Sequence, residues 1–181
     1  MQKFIIILDS ENLSLLADSV AECFVIPASA DRGFIAAALV EAAKAEKIIL
    51  LSGEGAAALC RELNADGVML DVSGAERYKS LIAETRAQMG KQKFLGVISR
   101  NRRHEAMIVS EMEPDFVAFS AWSEGQEKIR DLVSWYNQLF LIQSAILVKD
   151  QNLDFSGFDC DIVILSAADY KIFVAKKQSL D

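Results

Sequence analysis

The residues best suited to chemistry gather in SRNRRHE, Ser99–Glu105, which opens on the last residue of the apolar run FLGVIS. Guanidinium groups grip a phosphate or carboxylate through two parallel N–H donors, and the free amides at a helix start favour the same anions. Arg100 stands nearest the apolar run, with Asn101 beside it, and both are candidate ligand-binding residues. Lys128 and Lys149 follow the next two apolar runs, and Ser120, Ser144 and Ser166 supply hydroxyls at or near the ends of such runs. Together they would make a site for a phosphate-bearing small molecule. Asp9 and Asp71 close two further runs with a carboxylate, and Trp122 offers a ring on which a planar heterocycle could stack. His104 is the single histidine, which excludes a histidine-rich zinc site or a two-histidine relay. No Gly-x-Gly-x-x-Gly motif, phosphate-cradling lysine loop or Ser-His-Asp set occurs.

Residues spread this widely need a scaffold that returns the chain repeatedly to one face. Strand-type runs begin at Phe4, Cys23, Ile48, Gly67, Phe94, Phe116, Leu139 and Ile162. They are continuous rather than alternating in character, as expected of parallel strands covered on both faces. Helical spacing separates them: Tyr78, Leu81, Ile82, Thr85 and Met89 share one face, as do Ile129, Leu132, Val133 and Tyr136. Eight such units predict an α/β fold, a compact (βα)8 barrel, over the single domain 1–181; an open doubly wound parallel sheet is the alternative. Barrels usually run to about 250 residues, so 181 is short. The seventh unit, from Val148, reads as a loop with one helical turn. Ligands of such barrels bind where strands end, often after strands seven and eight, so Lys149 and Ser166 stand in a favoured place.

A phrase also recurs, as DGVMLD from Asp66, DFVAFS from Asp115 and DIVILS from Asp161. Each copy sets an aspartate before an even-numbered strand, which places Asp66, Asp115 and Asp161 at the face that stabilises such barrels rather than the face that binds.

Composition narrows the partners. The chain is 52% apolar, ample for a core, and 26 acidic against 19 basic residues give a net charge of −7. That balance argues against nucleic acid and anionic membrane and for small molecules or proteins. FIIIL is too short for a signal or membrane segment, so a cytoplasmic location is expected. Cys23, Cys60 and Cys160 are odd in number and set in apolar sequence, and read as buried thiols. Trp122, Trp135 and Tyr136 lie close together and are candidates for a contact in a homo-oligomer.

The stretches NADGVMLDVSGA from Asn64, FLGVISRNRRHEAMIVSEMEPDFVAFSAW from Phe94 and CDIVILSAADY from Cys160 resemble the thiamine phosphate synthase family in order and spacing. The resemblance implies the (βα)8 fold, a transferase joining hydroxymethylpyrimidine diphosphate to thiazole phosphate, a role in thiamine biosynthesis, and Mg2+ as cofactor, with Asp71 as its carboxylate. It is densest in scaffold residues such as Ala65, Asp66, Gly67, Gly96, Asp115 and Ala167. The chemistry positions differ. Ser52 and Gly53 stand where the family carries Asn-Asp, Ile98 and Arg100 where it carries serine and histidine, and Ser144-Ala145 where it carries Gly-Gly. Its threonines after strand six fall on Gly125 and Glu127, while its lysine has a counterpart in Lys128. A diphosphate leaving group needs cations to neutralise its growing charge. The expectation is therefore a divergent phosphate-ligand-binding barrel with weak or no synthase activity. The alternatives are a non-catalytic interaction protein and an isomerase-like enzyme on another phosphorylated small molecule.

Overall fold

In the computed structural model, which describes residues 2–178, eight parallel strands close into a barrel in simple sequential order. The strands are β1 (Lys3–Ile7), β2 (Cys23–Pro27), β3 (Ile48–Ser52), β4 (Gly67–Asp71), β5 (Phe94–Ser99), β6 (Phe116–Ala121), β7 (Gln143–Val148) and β8 (Ile162–Ser166). The helices are α1 (Leu15–Asp18), α2 (Arg32–Lys44), α3 (Ala56–Leu63), α4 (Tyr78–Met89), α5 (Arg103–Ser110), α6 (Gln126–Leu139) and α7 (Ala167–Gln178). Closure is direct: β1 pairs with β8 from Lys3↔Ile162 to Ile7↔Ser166, which rules out the open sheet. The short chain manages eight units by shrinking two connections. Helix α1 has four residues, and a single 3-10 turn, Phe155–Gly157, replaces a helix after β7.

Successive side chains of a strand point to opposite faces, and here the two faces form two separate cores. Ile5, Val25, Leu50, Met69, Ile98 and Ala118 fill the barrel interior with their neighbours. Ile6, Phe24, Ile49, Val97, Phe119 and Val163 face outward under the helices. Both sets are buried, which is why the strands read as unbroken apolar runs. Burial also pushes the Cys160 thiol up to about 12, with nearby Asp161 adding to the effect, so it stays protonated at neutral pH.

The seventh strand lies later than its apolar run suggests. Leu139 ends α6, and the Phe140 ring stacks on Tyr136 with centroids 4.8 Å apart, closing the helix end. Leu141 is fully exposed, and pairing starts at Gln143. The run LFLIQ is thus a helix terminus and a turn. Tyr136 is not a surface residue: it is wholly buried and bonded to Ser110 Oγ at 2.8 Å, while Trp135 packs edge-on against Phe140.

The recurring aspartates receive a common explanation. Asp66 Oδ2 accepts from Ile49 N at 2.8 Å, Asp115 Oδ2 from Leu95 N at 2.7 Å, and Asp161 Oδ2 from Ser144 N at 2.8 Å. Each aspartate, just before an even strand, bonds the amide of the second residue of the odd strand before it. The clamp secures the ladder where parallel pairing begins. A hydrogen bond to a charged group contributes about 1.5–3 kcal/mol. Asp115→Ala is therefore expected to lower the unfolding free energy by about 2 kcal/mol in urea denaturation; a change under about 0.5 kcal/mol would show the clamp to be ornamental.

Candidate functional site

The same alternation that fills the barrel determines which side chains line its C-terminal mouth. Leu50, Met69, Ile98, Ala118, Leu147 and Ile164 point inward. Two residues further along come Ser52, Asp71, Arg100, Ser120, Lys149 and Ser166, on the same parity. Five of the eight sequence-predicted residues, Asp71, Arg100, Ser120, Lys149 and Ser166, thus share one rim, on adjacent strands β4 to β8. Ser52 joins this rim although its residue type alone does not mark it as a ligand group; the signal for it is its parity with inward-pointing Leu50.

Arg100 is the best-anchored group on this rim. Its Nε donates to Ser73 O at 2.7 Å and its Nη2 to Ala75 O at 3.4 Å, both in the loop between β4 and α4. Those two bonds fix the plane of the guanidinium and leave Nη1 without a partner among the described residues. The loop itself is braced, because Asp71 Oδ1 accepts from Ser73 N at 2.9 Å and from Ser73 Oγ at 2.6 Å. A long cationic side chain normally loses rotamer freedom on binding; here the loop has already removed much of it.

Asn101 does not cap α5. That position belongs to Arg102, which makes no side-chain cap bond. Asn101 Nδ2 instead donates to Ser120 O at 2.8 Å, tying the end of β5 to β6, and its Oδ1 is buried without a partner among the described residues. Asn101 therefore supports the rim rather than facing a ligand. Ser120 is nearly buried, and its hydroxyl has no partner among the described residues. Lys149 is exposed just beyond β7, its backbone N–H held by Ala121 O at 2.9 Å. Trp122, 45% exposed, follows Ser120 on the same parity.

Three residues do other work. Ser166 Oγ accepts from Asp169 N at 3.0 Å, capping the start of α7, and donates to Asp169 Oδ2 at 2.6 Å, which occupies its proton. Lys128 sits exposed in the first turn of α6, outside the strand parity. Ser144 corrects an expectation outright: as second residue of β7 it lies at the far end of the barrel from the mouth, fully buried and bonded to Asp161. The displaced seventh strand is the cause, since a strand over Leu139–Gln143 would put Ser144 at its C-terminal end.

No group of three His, Cys, Asp or Glu side chains among the described residues is placed to hold a metal ion. Asp71, with one oxygen bonded to Ser73, is a lone carboxylate and does not by itself fit a magnesium site. A separate cavity of about 180 Å3 lies beside the mouth, between the loop after β7 and α7, lined by Val148, Asp154, Phe155, Leu165, Asp169 and Phe173. It opens on the outward face of β7 and β8, away from Arg100. No helix among the described residues is long and apolar enough to cross a membrane.

Comparison with known proteins agrees with this architecture. No family model matches the chain. A thiamine-phosphate synthase from Erythrobacter litoralis is 32% identical over 93 residues, which cover 47% of this chain and 41% of that relative. Among solved structures, tryptophan synthase from M. tuberculosis superposes with a TM-score of 0.67 at 11% identity, covering 92% of this chain and 83% of the other. A GH113 beta-1,4-mannanase gives 0.61 at 9% identity, covering 92% and 88%, and a Sulfolobus solfataricus 2-keto-3-deoxygluconate aldolase gives 0.52 at 12%, covering 97% and 72%. These structural likenesses establish the TIM-barrel fold, and the sequence match supports a relationship to a barrel enzyme over about half of the chain.

Proposed function

We propose that the C-terminal mouth binds a small phosphorylated molecule, in a barrel that descends from thiamine-phosphate-synthase-like transferases and has shed most of their coupling machinery. The observation that carries the reading is Arg100, an inward-parity guanidinium held in place by two backbone carbonyls with Nη1 open. Ser120 and Lys149 share that parity on the following strands, and Trp122 adds a ring at the rim for a heterocyclic ester. The partial match to a thiamine-phosphate synthase supports the ligand class.

Coupling is a different matter. Displacing diphosphate requires cationic help for the leaving group, and this rim offers Arg100, Lys149 and the lone carboxylate Asp71. Removing a single group that stabilises a transition state slows a reaction about a hundredfold or more, and here several such groups are replaced together.

The test is a melting titration of the wild-type chain with thiazole phosphate, hydroxymethylpyrimidine diphosphate and inorganic phosphate, each with and without magnesium, alongside an assay for thiamine phosphate. The expected outcome is stabilisation by at least one phosphate ester without measurable product. Unchanged melting with every ligand would refute the binding reading, and rapid product formation would refute the loss of coupling.

A further inference from the structure

In a closed barrel the outward face of each strand is covered by the helix that follows it. After β7 that cover is missing, because the connection shrinks to the 3-10 turn Phe155–Gly157. The cavity of about 180 Å3 lies where such a helix would pack, on a floor of Val148 and Leu165, outward side chains of β7 and β8. Packed interiors leave few voids larger than a water molecule, and this one is held open by its surroundings. Arg130 of α6 donates from Nη2 to Gln126 Oε1 and to Asp154 O, both at 3.2 Å, and its guanidinium lies 5.2 Å from the centroid of the Phe158 ring. Gly157 permits that close approach, since a β-carbon there would stand 2.8 Å from Arg130 Nη2. Phe155 rests on Phe173 of α7, ring centroids 5.1 Å apart. The turn is thus fixed against α6 on one side and α7 on the other, and does not fold in onto the floor.

The rest of the lining is strongly acidic. Asp150, Asp154 and Asp169 stand against one cation, Lys176, among the described residues. Asp150 accepts from Ser123 N at 3.1 Å and from Asn152 N at 2.8 Å, and Asp154 Oδ1 accepts from Ser156 N at 3.0 Å and Ser156 Oγ at 2.6 Å. Bonds from Ser123 hold the Asp150 carboxyl below the usual carboxylate range, and bonds from Ser156 do the same for Asp154, so both are charged at neutral pH. Asp154 Oδ2 and Asp169 Oδ1 have no partner among the described residues. We infer that this cavity binds a small organic cation, a body of about one ring carrying a single ammonium, with the body on Val148 and Leu165. An apolar cavity of roughly 150 Å3 accepts a benzene, so the floor suits a body of that size. The ammonium then meets the charged acceptors Asp154 and Asp169, whereas an anion of the same shape meets like charge. The inference does not depend on the phosphate reading, since the cavity faces outward from the strand ring, and failure of either leaves the other intact.

Phenethylammonium, phenethyl alcohol and hydrocinnamate share one ring and chain and differ in charge, and titrating each into 15N-labelled protein is the test. Saturable amide shifts are expected at residues 150–156 and 169–176 with phenethylammonium, several-fold weaker binding with the alcohol, and none with hydrocinnamate. Asp154→Asn keeps an amide oxygen for the bonds from Ser156, and is expected to weaken the ammonium several-fold while leaving the alcohol unchanged. Leu165→Phe fills the floor and is expected to abolish binding of both. No saturable shift with phenethylammonium, equal affinity for the alcohol, or full binding in a folded Leu165→Phe chain would overturn the proposal. If Leu165→Phe does not fold, Asp154→Asn decides, and unchanged ammonium affinity there would overturn it equally.

Discussion

Gly67→Ala is expected to destabilise the barrel by about 3 kcal/mol or more, enough to prevent most of the chain from accumulating in folded form. A β-carbon at Gly67 would stand 2.1 Å from Phe94 O and 2.7 Å from Phe94 C. Those are backbone atoms of the neighbouring strand, directly opposite in the β4–β5 register, so no side-chain rotation relieves the clash. The strands would have to separate where the Asp66 carbonyl accepts from Phe94 N at 2.9 Å. Gly96 faces a related constraint from inside the barrel, where an added β-carbon would meet the Phe116 ring at 1.9 Å. Phe116 is itself 5% exposed and enclosed, so its ring has little room to yield. Gly74→Ala is the matched control. Nothing lies within 4 Å of a β-carbon there and its backbone is ordinary, so urea unfolding should show little change. Equal stabilities for the Gly67 and Gly74 variants would contradict the strand spacing described.

The second large effect concerns Arg100. A ligand present at a hundred times its dissociation constant stabilises the folded state by about 2.7 kcal/mol. For a chain of this length that corresponds to a melting shift of roughly 5–10 °C. Arg100→Ala is expected to remove nearly all of that shift for phosphate esters. The variant also loses the bonds to Ser73 O and Ala75 O, so its unliganded melting point will fall as well. The informative quantity is the ligand-dependent increment, which a merely structural arginine would leave unchanged. Arg100→Lys separates charge from shape. An ammonium keeps the charge but cannot hold two carbonyls and a phosphate in one plane, so an intermediate increment is expected. Full retention in Arg100→Ala would remove Arg100 from the site.

Much of this arrangement was legible in the sequence because strand burial writes itself in residue type. The runs at Cys23, Ile48, Gly67 and Ile162 coincide with strands β2, β3, β4 and β8, where both faces are covered until the strand reaches the mouth and the central positions are apolar. The run at Leu139 misled for a physical reason. Phe140 serves the end of α6 through its stack on Tyr136, and a short apolar run carries no periodicity that would separate helix end from strand. That one displacement moved Ser144 to the wrong end of the barrel.

The rim was partly legible. Once strand limits are known, parity alone brings Asp71, Arg100, Ser120 and Lys149 to the mouth. What the sequence could not display is the use of backbone carbonyls as partners. Ser73 O and Ala75 O orient Arg100, and Ser120 O holds Asn101, yet any residue supplies a carbonyl. Ser166 shows the converse. Its Ser-x-x-Asp spacing to Asp169 is a helix-start signature that the sequence does contain, and the cap it forms accounts for its hydroxyl.

Binding at the mouth requires an anion to reach Arg100, and one measurement addresses that location directly. Inorganic phosphate and thiazole phosphate would be titrated into uniformly 15N-labelled protein while amide shifts are followed. Saturable shifts are expected at Arg100–Arg103, at Ser120–Trp122 and at Lys149, all absent in Arg100→Ala. Shifts confined to the loop and helix around Phe155 and Phe173, or none at any ligand concentration, would contradict binding at the mouth.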